Sequence, residues 1–215
     1  MELQLYSYFR SSAAYRVRIA LNLKGLDWQS RGVHLTRGGG EQKAAAYREI
    51  NPQGLVPALA LDARIVTQSQ AICELLEELH PTPPLLPAEP FARAYVREVM
   101  ALVACDIHPL NNLRAKEYLN QMGIGSEAWM GWYRHWIAVG LTGLEALVTG
   151  SGRAGRFCLG DSPTLADAFL VPQIYNALRF DCPTAGFPAL MRIHETCTAL
   201  PAFAEAAPEV QPDAE

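Results

Sequence analysis

A proline-rich segment divides this chain. Residues 81–87 read PTPPLLP, with four prolines in seven residues. Proline has no backbone N–H and a fixed φ, so this segment cannot continue a helix or pair in a central strand. The net charge also changes across it, from +1 in residues 1–82 to −5 in the remainder. We therefore expect two domains, at 1–82 and 91–215, joined by an extended linker at 83–90.

Strand and helix signals alternate before the linker. Residues 3–8 alternate between apolar and polar, as a strand does, and Val17, Ala20 and Leu21 have the i, i+3, i+4 spacing of one packed helix face. These patterns predict the order βαβαββα, with helices layered on a mixed sheet. The predicted strands are 3–8, 28–35, 55–61 and 65–66, and the predicted helices are 15–24, 41–50 and 69–79.

Strand signals almost vanish after the linker, and long helical patterns replace them. The predicted fold class is therefore α/β plus all-α, an α/β domain followed by an all-helical one. We expect the polar, proline-containing tail at 208–215 to be frayed. The predicted helices are 90–119, 129–149, 164–178, 191–200 and 201–207.

Composition excludes several classes of protein. A net charge of −4 argues against a nucleic-acid binder driven by global charge. The 5 cysteines form no CxxC pair and no Cys/His cluster at zinc spacing, so we expect reduced thiols, no disulfide scaffold and no metal site. The first residues do not resemble a signal peptide, and no apolar stretch has the length of a membrane span. We expect a cytoplasmic protein.

Two serines, Ser11 and Ser12, follow Arg10 where the first strand gives way to a helix. A helix N-terminus has unpaired N–H groups and a partial positive charge, so it favours an anion. A serine hydroxyl there can donate to a thiolate or simply cap the helix, and the residues alone favour the cap.

Two later segments could also hold a ligand. In NPQGLVP at 51–57, a cis Val56–Pro57 bond would turn the Val56 main chain outward to pair with an extended ligand, although only about 5–6% of X-Pro bonds are cis. Ser69 begins a helix, where its N–H and hydroxyl could hold a carboxylate or form another cap.

These three segments together resemble the glutathione site of the glutathione transferases. NPQGLVPAL at 51–59 followed by QSQAI at 68–72 is typical of that family's thioredoxin-like domain, and GDSPTLAD at 160–167 resembles its helical-domain signature. In that signature Thr164 and Asp167 have the spacing of a structural capping box. SYFRSS at 7–12 and RVRIAL at 16–21 are similar to the zeta class, except that Ala13 and Ala14 replace the usual Cys and Ser.

The resemblance implies glutathione as the cofactor and a homodimer as the assembly. Ser11, or alternatively Ser12, would hydrogen-bond the glutathione sulfur. The segment CDIHPLNNLR at 105–114 resembles the start of the helical domain in the maleylpyruvate branch of the class. The implied glutathione contacts are Gln68 and Ser69 for the γ-glutamyl carboxylate, Val56 for the cysteinyl backbone, Gln53 and His108 for the glycyl end, Asp106 for the γ-glutamyl amine, and Asn112 beside them.

The zeta class includes isomerases of maleylpyruvate and maleylacetoacetate, so the resemblance implies cis–trans isomerisation by reversible thiolate addition. Such a substrate is an anionic dicarboxylate, for which arginine is the fitting partner. Arg10, Arg114 and Arg179 are the candidates, although each could be a surface residue and Arg179 could serve the C-terminus of its helix. Conjugation, dehalogenation, peroxide reduction and a non-catalytic binding role are the alternatives, and the sequence does not separate the two isomerase substrates.

Overall fold

A computed structural model describes residues 2–215 as two compact units. One unit contains the residues up to Leu85 together with Ala199–Glu215, and the other contains Leu86–Thr198. The division therefore falls inside the proline-rich segment. The C-terminal segment, Ala199–Glu215, was expected in the helical domain but is part of the first unit.

The first unit is built on a four-stranded sheet in the order β2-β1-β3-β4. β1 pairs in parallel with β2 and antiparallel with β3, which pairs antiparallel with β4. This confirms the thioredoxin-like βαβαββα arrangement. The strands are β1 Leu3–Ser7, β2 Gln29–Gly32, β3 Ala58–Leu61 and β4 Arg64–Thr67, and the helices are α1 Ser12–Leu23, α2 Ala45–Ile50 and α3 Ser69–Leu79.

Helix α1 is buried along most of its length. Val17, Ala20 and Leu21 are fully buried, as the packed face predicts, and Ile19 outside that face is fully buried as well. The same helix also buries two arginines, Arg16 at 2% exposure and Arg18 at 0%. A buried guanidinium requires hydrogen-bond partners because its desolvation is costly. These two side chains therefore bind neighbouring parts of the unit, as described below.

The C-terminal segment is not frayed, so that prediction is wrong. It contains α9, Pro201–Ala204, which contacts α1. Phe203 and Ala206 are fully buried, and the Gln211 Nε2 donates to the carbonyls of Glu205 and Ala207, both at 2.9 Å. These local bonds, apolar burial and a hydrogen bond from the distant Phe9 N–H to Asp213 hold this polar stretch, which its local composition does not indicate.

The second unit is helical. Helix α7 is its most buried element and contacts both α4 and α8. Its N-terminus has the expected capping box, in which Asp167 Oδ2 accepts the Thr164 N–H at 2.8 Å. Within residues 2–215, no helix has the length and apolar character needed to cross a membrane. The helices are α4 Pro90–Ala101, α5 Leu113–Gln121, α6 Ser126–Gly150, α7 Leu165–Arg179 and α8 Pro188–Thr198.

The single helix predicted at 90–119 is interrupted. After α4 the chain widens into a π-helical turn, Leu102–Ile107, and then tightens into a 3₁₀ turn, His108–Asn111. Asn112 then caps α5, with its Oδ1 accepting the Arg114 N–H at 3.1 Å. The wide turn presses Ile107 against α6 at Gly140, where an added Cβ would lie 2.3 Å from Ile107 Cγ1. A glycine on another helix thus makes room for this turn.

Candidate functional site

A hydrogen-bonded turn delivers Ser11 to the start of α1. The Ser11 N–H donates to the Tyr8 carbonyl at 2.9 Å, which closes the turn. Ser11 is the N-cap, with φ −73° and ψ 113°, and its Oγ accepts the Ala14 N–H at 3.2 Å. A hydroxyl that accepts through a lone pair still has its own O–H to donate. The cap and the thiol-binding role are therefore compatible in one serine.

The two candidate serines differ in position. Ser11 is half-buried and outside the helix, whereas Ser12 is its first residue and is only 7% exposed. Arg10, which precedes them, is exposed, and its guanidinium carbon lies 4.6 Å from the centre of the Phe9 ring. Of these residues, Ser11 is the one that caps the helix and is also partly exposed, so that a ligand can reach its hydroxyl.

A tight turn leads into β3. The Gly54 N–H donates to the Asn51 carbonyl at 2.9 Å, while Asn51 Oδ1 accepts the Gln53 N–H at 3.1 Å. Gly54 has φ +62°, and a Cβ there would lie 2.9 Å from the Gln42 carbonyl oxygen, so glycine is needed. The turn presents the Gln53 side chain on the surface.

The Val56 main chain is available to a ligand. The Val56–Pro57 bond is cis, as the proposed role required. The preceding carbonyl, of Leu55, is occupied by the Tyr47 hydroxyl and the Asn51 Nδ2, both at 2.7 Å. In the described part of the chain, the Val56 N–H and C=O form no hydrogen bond, although Val56 is only 8% exposed. Nearly buried main-chain groups are normally paired, so these two are suited to an added strand-like ligand.

Gln53 and Gln68 are brought together by the fold. The Gln68 Nε2 donates to Gln53 Oε1 at 2.6 Å. Gln68 precedes α3 and has φ +70°, a region that non-glycine residues rarely adopt. Such local strain is concentrated at functional sites, which supports a binding role for this corner.

Arg16 lies beneath Ser69, a contact that sequence reasoning missed. Ser69 is the first residue of α3, is 5% exposed, and its Oγ accepts from Arg16 Nη1 at 3.2 Å. The buried guanidinium adds positive charge next to a helix N-terminus, which already favours a carboxylate. The sequence signal for this buried arginine is its position inside an apolar helix pattern.

His108 and Asn112 meet in the helical unit. The Asn112 Nδ2 lies 3.1 Å from His108 Nε2. Because Asn112 Oδ1 is already used as the α5 cap, its amide nitrogen is the group that faces the ring and donates. His108 Nε2 is then the acceptor, which puts the proton of the neutral ring on Nδ1. Asp106 lies in the π-helical turn and is exposed.

Arg114 and Arg179 occupy opposite kinds of helix end. Arg179 is in the last turn of α7, where the helix dipole favours a cation, and its guanidinium carbon lies 5.0 Å from the centre of the Phe180 ring. Arg114 is in the first turn of α5, where the dipole opposes a cation. Both side chains are exposed. The dipole therefore explains Arg179 without a ligand but does not explain Arg114.

The cysteine thiols in the described residues are free, and four of them are buried. Burial raises the pKa of Cys73 to about 12, although the nearby Arg16 lowers it. Burial also raises the pKa of Cys158, Cys182 and Cys197 above the ordinary range. These four thiols are protonated at neutral pH and are not nucleophiles. Among the described residues, no group of three or more His, Cys, Asp or Glu is arranged to hold a metal.

Comparison with known proteins agrees with this geometry. Residues 5–84 match the family described as Glutathione S-transferase, N-terminal domain. A probable maleylacetoacetate isomerase from Vibrio cholerae is 49% identical over 215 residues, which cover 100% of this chain and 99% of that protein.

Two solved structures are similar over nearly their full length. The holo structure of a maleylpyruvate isomerase, a bacterial glutathione S-transferase in the Zeta class, has a TM-score of 0.95 at 44% identity, covering 99% of this chain and 100% of that one. Maleylacetoacetate isomerase from Methylobacterium extorquens AM1, with bound malonate and GSH, has a TM-score of 0.95 at 40% identity, covering 99% of each chain. Identity at this level over whole chains shows that this protein belongs to the zeta class of the glutathione transferase family.

Proposed function

We propose that this chain is a glutathione-dependent cis–trans isomerase that converts maleylpyruvate or maleylacetoacetate to the fumaryl isomer. The observation that carries the proposal is the set of groups in the first unit: a serine-capped helix N-terminus, an unpaired Val56 main chain and the Gln68–Ser69 corner. The similar proteins from Vibrio cholerae and Methylobacterium extorquens bear the names of isomerases of this kind.

The residues of the first unit fit glutathione. The Val56 N–H and C=O would pair with the cysteinyl main chain, since in the described residues they have no other partner. The start of α3 would hold the γ-glutamyl carboxylate through Gln68 and Ser69, with Arg16 beneath adding charge. Gln53, hydrogen-bonded to Gln68, would lie next to the same ligand and hold its glycyl end. His108, Asn112 and Asp106 of the helical unit are further glutathione contacts that the resemblance suggests.

Bound glutathione supplies a thiolate that adds reversibly to the cis double bond, so that rotation about the resulting single bond and elimination leave the trans isomer. The task of Ser11 is to donate its O–H to the sulfur and favour the thiolate over the thiol. The partial positive charge of the α1 N-terminus acts in the same direction, and no acidic side chain stands in its first turn to oppose it. Ser12 is the alternative donor.

Arginines would bind the dicarboxylate substrate. Arg10 lies within the turn between β1 and α1, next to Ser11. Arg114 is placed where the helix dipole disfavours a cation, so a bound anion would account for its position. Arg179 is the third candidate. A guanidinium suits a carboxylate or a developing enolate because it donates two parallel hydrogen bonds and keeps its charge. Their contribution is to orient the substrate and to stabilise charge as it develops.

The test is to incubate the pure protein with either substrate and to follow the enone absorbance with and without glutathione. S-methylglutathione, which has no thiol, is the matched control. We expect isomerisation with glutathione and no turnover with the methylated control. No glutathione-dependent isomerisation of either substrate would reject the proposal. Faster turnover of an aryl halide or an α-haloacid than of both enones would favour conjugation or dehalogenation instead.

We also propose that the protein is a homodimer in the cytoplasm. β4 is an edge strand with Ile65 42% exposed, and Phe91 on α4 is 77% exposed, so each unit has apolar surface that a second copy could cover. Free thiols suit a reducing compartment. A monomer mass, measured by light scattering on protein eluting from a size-exclusion column, would contradict the dimer. Cell fractionation tests the location.

A further inference from the structure

The C-terminal segment is hydrogen-bonded to the turn that carries Ser11. Asp213 Oδ2 accepts the Phe9 N–H at 2.9 Å. Asp213 also lies beside the end of β2, where a Cβ added to Gly32 would be 3.8 Å from the Asp213 Cβ. Phe9 is a central residue of the Tyr8–Ser11 turn, so this carboxylate contacts the turn two residues before the proposed thiol-binding serine.

Arg18 holds the other side of the same residue. Its Nη2 donates to the Phe9 carbonyl at 3.0 Å, and its Nε donates to the Ala206 carbonyl of the C-terminal segment at 2.9 Å. Arg18 is fully buried and Phe9 is only 3% exposed. Both main-chain groups of Phe9 are thus bound by protein side chains, and little water is available to replace either bond.

The far end of the C-terminal segment is attached as well. Glu215 forms an ion pair with Arg37, and its Oε1 lies 3.3 Å from His34 Nε2. His34 Nδ1 accepts two main-chain N–H groups, so the proton of the neutral ring is on Nε2 and faces Glu215. Contacts between exposed charges contribute little to stability, so Asp213 is the contact expected to matter most for the turn.

We propose that Asp213 is a positioning residue, which holds the Tyr8–Ser11 turn in the conformation that presents the Ser11 hydroxyl to the glutathione sulfur. The inference rests on the proposed function, because Ser11 matters only if a thiol binds there. A catalytic hydrogen bond must be held within a fraction of an ångström of its best geometry, and this turn ends at the N-cap itself. The carboxylate acts through the main chain and touches neither glutathione nor substrate.

The experiment compares Asp213→Ala, which removes the acceptor, with Asp213→Asn, which keeps a carbonyl oxygen. The matched control is Asp62→Ala. Asp62 Oδ1 also accepts a main-chain N–H, that of Glu2 at 3.1 Å, but it does so at the opposite end of β1. Three readouts are measured: amide exchange of Phe9 without glutathione, the pKa of the bound thiol from thiolate absorbance, and kcat/KM.

In Asp213→Ala we expect Phe9 exchange to rise about tenfold, the bound-thiol pKa to rise, and kcat/KM to fall about tenfold, as the loss of one partly buried hydrogen bond to a carboxylate predicts. The KM for glutathione should stay within about twofold. Asp213→Asn should restore most of each value, and Asp62→Ala should match the wild type. If Asp213→Ala does not fold, Asp213→Glu, which displaces the acceptor, takes its place with the same expected direction.

The proposal would be overturned if Asp213→Ala had the same bound-thiol pKa and kcat/KM as the wild type. It would also be overturned if Asp213→Asn lost as much kcat/KM as Asp213→Ala. The failure of the proposed function is distinguishable from this outcome. If the wild-type protein shows no isomerisation, the function is wrong, whereas Phe9 exchange and the thiol pKa still decide the role of Asp213.

Discussion

Replacing Ser11 separates two roles that the structure assigns to one hydroxyl. The Ser11 Oγ accepts the Ala14 N–H at the start of α1, and its O–H would donate to the glutathione sulfur. Ser11→Ala removes both interactions. Ser11→Gly also removes both side-chain interactions, but glycine is a tolerated N-cap that costs only a few tenths of a kcal/mol, whereas alanine costs about 1 kcal/mol. Comparing the two variants therefore isolates the loss of the cap from the loss of the donor.

The expected magnitudes follow from these contacts. A hydrogen bond to a charged group contributes about 1.5–3 kcal/mol, and one pKa unit corresponds to about 1.4 kcal/mol. Loss of the Ser11 donor should therefore raise the pKa of the bound thiol by about one to two units in both variants. The melting temperature should fall by about 2–4 °C in Ser11→Ala and by less in Ser11→Gly.

The assay is a pH titration of thiolate absorbance in the glutathione complex, together with thermal unfolding of the free protein. Ser12→Ala is the comparison, because Ser12 is buried within the first turn and does not form the cap. We expect Ser12→Ala to leave the thiol pKa nearly unchanged. A larger shift in Ser12→Ala than in Ser11→Gly, or no shift in Ser11→Gly, would refute the assignment of Ser11.

Three further predictions concern the helical unit. Arg114→Ala and Arg179→Ala should each lower kcat/KM about tenfold and leave glutathione affinity unchanged. The surface control Arg192→Ala should leave kcat/KM unchanged. If steady-state kinetics show an unaltered kcat/KM for both Arg114→Ala and Arg179→Ala, neither arginine belongs to the site. In the wild type the buried N–H groups of Cys158 and Thr164 each donate to Asp167 at 2.8 Å. Asp167→Ala leaves both donors without this acceptor and should lower the free energy of unfolding by about 2–5 kcal/mol. A loss of less than about 1 kcal/mol in a denaturant titration would contradict this. Burial lowers the pKa of His194 in the folded protein, so the unfolded chain takes up a proton first as the pH drops. The melting temperature should therefore decline below about pH 6.5, the ordinary histidine pKa, until the pH reaches the lower pKa of the folded state. His194→Gln should flatten that decline, and an unchanged dependence of melting temperature on pH would contradict the burial argument.

Local patterns predicted the sheet unit and the capping box well. The alternation in β1, the glycine of the NPQG turn and the Thr164–Asp167 spacing each specify a structure through neighbouring residues only. Such signals need no knowledge of the rest of the fold. The motif residues Gln53 and Gln68 were likewise expected at one ligand, and the structure joins them by a hydrogen bond.

The errors arose where distant residues determine the structure. The C-terminal segment is polar and contains prolines, so its order depends on Arg18, on Phe9 and on its own side-chain hydrogen bonds rather than on propensity. The break in the helix predicted at 90–119 depends on Gly140 of another helix as well as on the Asn112 cap. The contact between Arg16 and Ser69 was missed because the two residues are 53 positions apart in sequence.

Turnover with substoichiometric glutathione tests the central claim most directly. Proton NMR follows the vinyl signals of maleylpyruvate, or of maleylacetoacetate, while glutathione is present at a small fraction of the substrate concentration and free thiol is titrated at the end. Reversible thiolate addition predicts complete conversion to the trans isomer with the thiol titre unchanged. Conversion that stops when the glutathione is exhausted, with a stable thioether as the product, would contradict the isomerase and identify a conjugating enzyme.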